Sequence, residues 1–245
     1  MARIVWAGAA FAMAIGLTSP AAAQPGDLQT YELSGTVGTH RVVMSLTIRG
    51  VAQVWVAHYF YDSQLKDIVL VGSEIGPVLT LMEPEGGLFK LKLQGVGGDG
   101  GSLATSAGAS GTWTEGARTL PVQLSVDSAY DGAPSAHRYA DVTGAGDAVF
   151  EARVKRFLDA VLAGNKPAAA ALVSYPLAVN GGAHPMSVKS PAQLAANWDR
   201  IFTAALLAEL RTAVPHEMFV RNGQAMVAGG AAWFDAKGAS ALNDP

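Results

Sequence analysis

The stretch SPAQLAANWDRIFTAALLAELRTAVPHEMFVRNGQAMVAGGAAWFD, residues 190–235, decides the fold, because helix and strand signals stand side by side in it. Ser190, Pro191 and Gln193 form a capping-box pattern with proline at the first helical position, where its missing N–H costs nothing. Leu194, Trp198, Ile201, Phe202, Leu206 and Leu210 recur at three- and four-residue steps, which predicts one helix from Ser190 to Val214 with a buried apolar stripe. Pro215 disfavours helix for the residue before it and marks the stop. Beyond it, Met218-Phe219-Val220 and Ala225-Met226-Val227 flank Asn222-Gly223, the dipeptide of a tight hairpin turn. The stretch therefore reads as a helix covering a hairpin sheet.

Upstream of it, Asp147 is a suitable N-cap, and Phe150, Val154, Phe157, Leu158, Val161 and Leu162 form a helical stripe that ends at Gly164-Asn165. A short helix, Pro167 to Val173, leads into an extended segment, Ser174 to Val179. Helix, short helix, extended segment, long helix and two or three strands predict an α+β unit with helices on one face of a curved antiparallel sheet. Residues 127–146 carry no periodic apolar set and are rich in Gly, Ala, Ser, Asp and Pro, so they read as a linker.

The first half has a different period. Val42, Met44, Leu46 and Ile48 lie opposite Arg41, Ser45, Thr47 and Arg49, Phe89, Leu91 and Leu93 alternate with Lys90 and Lys92, and Leu120, Val122, Leu124 and Val126 alternate with Gln123 and Ser125. Period two with one wet face is the signature of antiparallel strands. Turn signals fall at Val37-Gly38-Thr39, Arg49-Gly50, Tyr61-Asp62-Ser63-Gln64, Gly76-Pro77, Glu85-Gly86-Gly87 and Glu115-Gly116. About eight strands at roughly ten-residue spacing predict an all-β meander closing into a small barrel or sandwich.

Met1 to Ala23 has the form of an export leader: Arg3, an uncharged apolar run from Ile4 to Leu17, and Ala21-Ala22-Ala23 before Gln24. The expected division is leader 1–23, antiparallel β unit 28–126, linker 127–146 and α+β unit 147–245. That predicts a periplasmic or secreted protein without stable membrane insertion once the leader is removed, since no later run reaches the ~18 apolar residues of a spanning helix. The chain has no cysteine, so each unit must be stable through its core alone. With 17 basic against 20 acidic residues, nucleic acid is not an expected partner. The sequence does not fix the oligomeric state.

Phe157-Leu158-Asp159-Ala160, Val173-Ser174-Tyr175-Pro176-Leu177, Asp199-Arg200-Ile201-Phe202, Phe219-Val220-Arg221-Asn222-Gly223 and Ala232-Trp233-Phe234 together resemble a domain of uncharacterised bacterial secreted proteins with the nuclear-transport-factor-2-like cone fold. The resemblance covers the second half. It implies a cone that hosts isomerases, dehydratases, hydrolases or inert binding domains. In the enzymes of that group Asp, His or Tyr sits inside the cone; Tyr175, Asp199 and His216 are the counterparts available here, and none falls in a catalytic motif of the group.

Other chemical signals are sparse. Ser63-Gln64-Leu65-Lys66 fits Ser-x-x-Lys but falls in a turn, with no accompanying motif. The glycine run 95–101 lacks the Lys-Ser/Thr and helix of a phosphate cradle. His40, His58, His137, His184 and His216 show no pair at the three- or four-residue spacing that zinc sites favour, so neither metal nor cofactor is expected. His58 shares a strand face with Val54, Val56 and Phe60 and reads as a partly buried histidine hydrogen-bonded to backbone. His216-Glu217 begins a strand, which would send the two side chains to opposite faces. If the cone has an open mouth, Tyr175, Trp198, His216 and Trp233 are its expected lining.

Two functional classes follow. One is a non-catalytic exported binding or interaction protein whose ligand is a small apolar molecule or an envelope component. The other is a small cone-fold enzyme of isomerase, dehydratase or hydrolase type that uses Asp199 or His216 as general base. A lysozyme-inhibitor-like envelope protein is a third reading compatible with an exported barrel.

Overall fold

A computed structural model describes residues 28–50, 53–95, 98–99, 101–181 and 185–245. The expected leader, His184 and part of the glycine run lie outside the described residues. The first half folds as β1 (Leu28–Val37), β2 (His40–Arg49), β3 (Gln53–Tyr61), β4 (Ile68–Ile75), β5 (Val78–Met82), β6 (Leu88–Gly95), the two-residue β7 (Gly98–Asp99), β8 (Ser106–Glu115) and β9 (Arg118–Asp131). All pairings among them are antiparallel. Because β5 pairs with β6 and β1 with β9, eight strands close into a barrel, leaving β7 as a short appendage on β6. Of the two architectures compatible with the sequence, the closed barrel is the one adopted. Closure pairs both edges of each of those eight strands and so removes the exposed backbone of an open sheet.

The alternation read from the sequence sets the inside. Leu33, Met44, Leu46, Leu79, Leu81, Phe89 and Leu93 are fully buried in one cluster. A buried carboxylate joins them: Glu83 Oε1 accepts from the Tyr59 hydroxyl at 2.7 Å and the Trp113 indole at 2.6 Å. The expected turns at Gly38, Gly50, Gly76, Gly86 and Gly116 all have positive φ, a conformation cheap only for glycine.

Four other glycines act inside strands. A Cβ on Gly35, Gly72, Gly108 or Gly111 would fall 1.9–2.2 Å from a carbonyl oxygen of the adjacent strand. Close backbone approach of this kind is what glycine permits within a sheet. Gly35→Ala should therefore destabilise the protein by about 1–3 kcal/mol, the range for overpacking. Urea denaturation checks this, and an unmoved midpoint would mean that β1 and β9 separate at no cost.

The second half contains α1 (Asp147–Leu162), α2 (Lys166–Ala170), β10 (Val173–Gly181), β11 (Met186–Val188), α3 (Pro191–Ala196), α4 (Trp198–Ile201), α5 (Ala204–Leu210), β12 (Phe219–Arg221), β13 (Gln224–Val227), β14 (Ala232–Phe234) and β15 (Ala239–Asp244). Its sheet runs β11-β10-β15-β14-β13-β12. Phe157 of α1 meets Phe234 of β14 edge-on at 5.4 Å, and Leu177, Leu194, Ile201, Leu206, Ala232 and Leu242 complete a second buried cluster. The helices thus cover one face of the sheet. Among the described residues no helix is long and apolar enough to cross a membrane.

Several expectations need correction. The single helix 190–214 is three short ones. Ser190 caps α3 as expected, accepting from Gln193 N, but Asn197 (φ −108, ψ 17) and Phe202 (φ −96, ψ 71) leave helical geometry, and Thr203 starts α5 by accepting from Leu206 N. Local caps outcompete the continuous stripe. Asp147 is not the N-cap of α1; Gly146 is, and the Asp147 carboxylate accepts from Arg138 N at 2.9 Å. The second sheet is mixed rather than antiparallel, because β15 runs parallel to β10. Within 127–146, β9 continues to Asp131 and Tyr139 is fully buried, so this segment is more structured than its composition implies.

Candidate functional site

Alternation along β3 sends Tyr59 into the barrel and His58 and Phe60 outward. Phe60 is nonetheless fully buried, with its ring 4.5 Å from the His216 ring in a perpendicular contact. Thr30, Ser45 and Thr47, also outside the barrel on β1 and β2, are buried too. This flank of the barrel meets a band of ionisable groups from the second half.

His216 lies at the centre of that seam. Its Nδ1 is 2.7 Å from Glu151 Oε2 and its Nε2 2.9 Å from Asp67 Oδ1. Both acceptors are carboxylates, so both ring nitrogens donate and the ring is an imidazolium. Burial alone would lower its pKa; the hydrogen bonds to Asp67 and Glu151 and their charges push it up to about 10. The His216 hydrogen bond in turn holds Asp67 below its usual value, against the effect of burial. Next to it, Glu217 Oε1 accepts from His58 Nε2 at 2.7 Å and from Arg138 Nη2 at 2.5 Å, while Glu217 Oε2 is buried without a partner. Burial acts to lower His58, but the Glu217 hydrogen bond and charge leave it raised. Glu32, on the barrel side, is raised chiefly by burial and then by the charge of Glu217.

His216 and Glu217 do not alternate as strand residues. They form a bend before β12, and Glu217 has φ +51, which turns both side chains into the seam. Glu151 Oε1 reinforces the bend by accepting from Glu217 N and from the Tyr139 hydroxyl, which itself accepts from Met218 N. A left-handed non-glycine residue costs of order 1 kcal/mol or more and persists only where its surroundings over-determine it.

The four expected lining residues do not gather in one place. His216 belongs to the seam. Trp198 is buried, its ring 4.3 Å from that of Phe202, with Lys166 Nζ 5.7 Å from its centroid. Tyr175 is half-buried and donates to Ala170 O at 3.2 Å. Trp233 lies on the sheet face opposite the helices. Asp199, the other proposed base, is exposed in the first turn of α4. Among the described residues no group of three or more His, Cys, Asp or Glu is arranged to hold a metal ion.

Trp233 borders a groove of about 300 Å³ with Asn180, Arg221, Asn222, Gln224, Ala241 and Asn243. Register explains the assembly: Trp233 faces Ala241 on β15 and Met226 on β13, and Phe219 on β12 extends the same row. A second cleft, of about 380 Å³, lies between α2 and α3 and is walled mostly by alanine and proline with Lys166 at its rim. The sequence pointed to Trp233 but not to the amides around it, which come from three separate segments. The seam also had no local signature, since Glu151 and Asp67 stand 65 and 149 residues from His216.

No family model, curated protein or solved structure matches the chain.

Proposed function

We propose that the chain is an exported, non-catalytic binding protein of the periplasm or extracellular space, and that its ligand site is the groove at Trp233. The groove carries this reading: an indole beside amide and guanidinium groups is the chemistry of ligand recognition, an apolar body with a few placed polar groups. Its lining favours a polar envelope component over the small apolar ligand that the aromatic residues alone suggested. Export rests on the leader-like segment 1–23. The cone-fold resemblance of the second half finds support in helices covering one face of its sheet.

An enzyme using His216 as base is less favoured, because an imidazolium with both nitrogens engaged has no lone pair to take a proton. Asp199 is less favoured as well, being exposed to water rather than sheltered beside a second titratable group.

The test is a ligand screen by NMR on uniformly ¹⁵N-labelled protein. Binding should move the Trp233 indole resonance and the side-chain amides of Asn180 and Gln224, and Trp233→Ala should remove those shifts. Shifts confined to the α2–α3 cleft near Lys166 and Ala170 would place the ligand elsewhere.

A further inference from the structure

We propose that the groove binds an acidic sugar, a polyhydroxylated ring carrying a carboxylate; this rests on the binding-protein reading and specifies its ligand. Two hydrogen-bond relays decide which atoms the groove leaves free. In the first, Asn243 Nδ2 donates to Gly230 O at 2.6 Å and Asn180 Nδ2 donates to Asn243 Oδ1 at 2.9 Å. A backbone carbonyl only accepts, so Gly230 fixes the orientation of Asn243, which fixes that of Asn180. Among the described residues nothing donates to Asn180 Oδ1, which remains as an unspent acceptor. In the second, Ser240 Oγ donates to Trp233 O at 3.1 Å, so it must accept from Gln224 Nε2 at 2.8 Å. Gln224 Oε1 remains as the second unspent acceptor.

Two fixed carbonyl acceptors suit hydroxyl donors. Their preorganisation matters, because the side-chain ordering that binding would otherwise require has already taken place on folding. The cation is Arg221, for which the described residues supply no ion pair. Among the described residues no carboxylate borders the groove. The nearby Asp244 accepts through Oδ1 from Thr203 Oγ1 at 2.5 Å. A guanidinium on a groove free of acids selects a carboxylate, which it can bind bidentately. Trp233 offers an apolar surface for the C–H face of a sugar ring. The volume, about 300 Å³, is at the small end of ligand clefts (~300–1,000 Å³) and suits one or two rings.

The experiment titrates full-length mature protein with D-glucuronate, D-glucose and acetate, followed by the Trp233 indole and the Asn180 and Gln224 side-chain amides. Glucuronate should bind at least ten-fold more tightly than either glucose or acetate, and Arg221→Gln should reduce that preference to near unity. Arg221 is exposed, so this variant tests charge without touching a core; Trp233→Ala should abolish binding of all three. Equal affinity for glucose and glucuronate, or an unchanged preference in Arg221→Gln, overturns the acidic-sugar assignment while leaving the groove as a binding site. Acetate binding as tightly as glucuronate also overturns it, in favour of a simple carboxylate site. If none of the three moves a groove resonance and the wider screen does not either, both the assignment and the binding-protein reading fail.

Discussion

His216→Ala will lower the free energy of unfolding by about 3–5 kcal/mol at pH 6, the cost of leaving partly buried charges without their counter-ion. Glu151 and Asp67 would then face each other across a cavity in the seam, and Phe60 would lose its perpendicular ring contact. The same residue should set the alkaline limit of stability. In the folded chain the imidazole keeps its proton to about pH 10, against 6.5 for the free group. Between those values the unfolded state binds fewer protons than the folded one, so stability must fall as pH rises through that window. His58, also raised, acts in the same direction. Asp67, held low, acts in the opposite sense: its contribution is present above the ordinary carboxylate pKa and is lost in acid. The seam should therefore be tightest at mildly acidic pH. Urea unfolding at pH 6, 8 and 9.5 checks both claims. Wild type should weaken by a few kcal/mol over that range, and His216→Ala should keep only the smaller slope due to His58. A wild-type curve that is level from pH 6.5 to 10 would show that His216 is not held as an imidazolium.

What the sequence conveyed depended on the range of the interaction involved. Barrel strands such as β2, β6 and β9 were legible because each carries its own period, as in Val42-Met44-Leu46-Ile48, and most of the turns between strands carry a glycine. Asn222-Gly223 was legible for the same reason: both residues have positive φ, and the hairpin β12–β13 pairs as the dipeptide requires. By contrast, β15 is ASALND, made of alanine, serine, asparagine and aspartate with one leucine, and it has little strand preference of its own. It is a strand because β10 and β14 supply hydrogen bonds on both sides. The broken helix 190–214 failed in a related way, since the apolar period persists through α3, α4 and α5 while the backbone turns at Asn197 and Phe202. Periodicity reports which residues are buried, and Leu194, Trp198, Ile201, Phe202, Leu206 and Leu210 all are. It does not report whether one axis carries them.

Phe60→Ala is expected to cost about 3–5 kcal/mol, the range for truncating a buried phenylalanine. The interest of the position is that Phe60 belongs to neither interior cluster. It is on the outer surface of a barrel, where an isolated barrel would expose it, and it is buried because the His216 bend covers it. Its deletion therefore measures packing between the halves rather than within either. The two substitutions should also interact. Phe60 and His216 are in direct contact, so their effects should differ from additivity by roughly 0.5–3 kcal/mol. Two independent units joined by a slack connector would behave otherwise: Phe60→Ala would cost under about 1 kcal/mol, as surface changes do, and the cycle would close to zero. A large single effect with measurable coupling would mean that β3, α1 and the bend at 216–217 stabilise one another, so that the charged seam is a structural joint between the two halves.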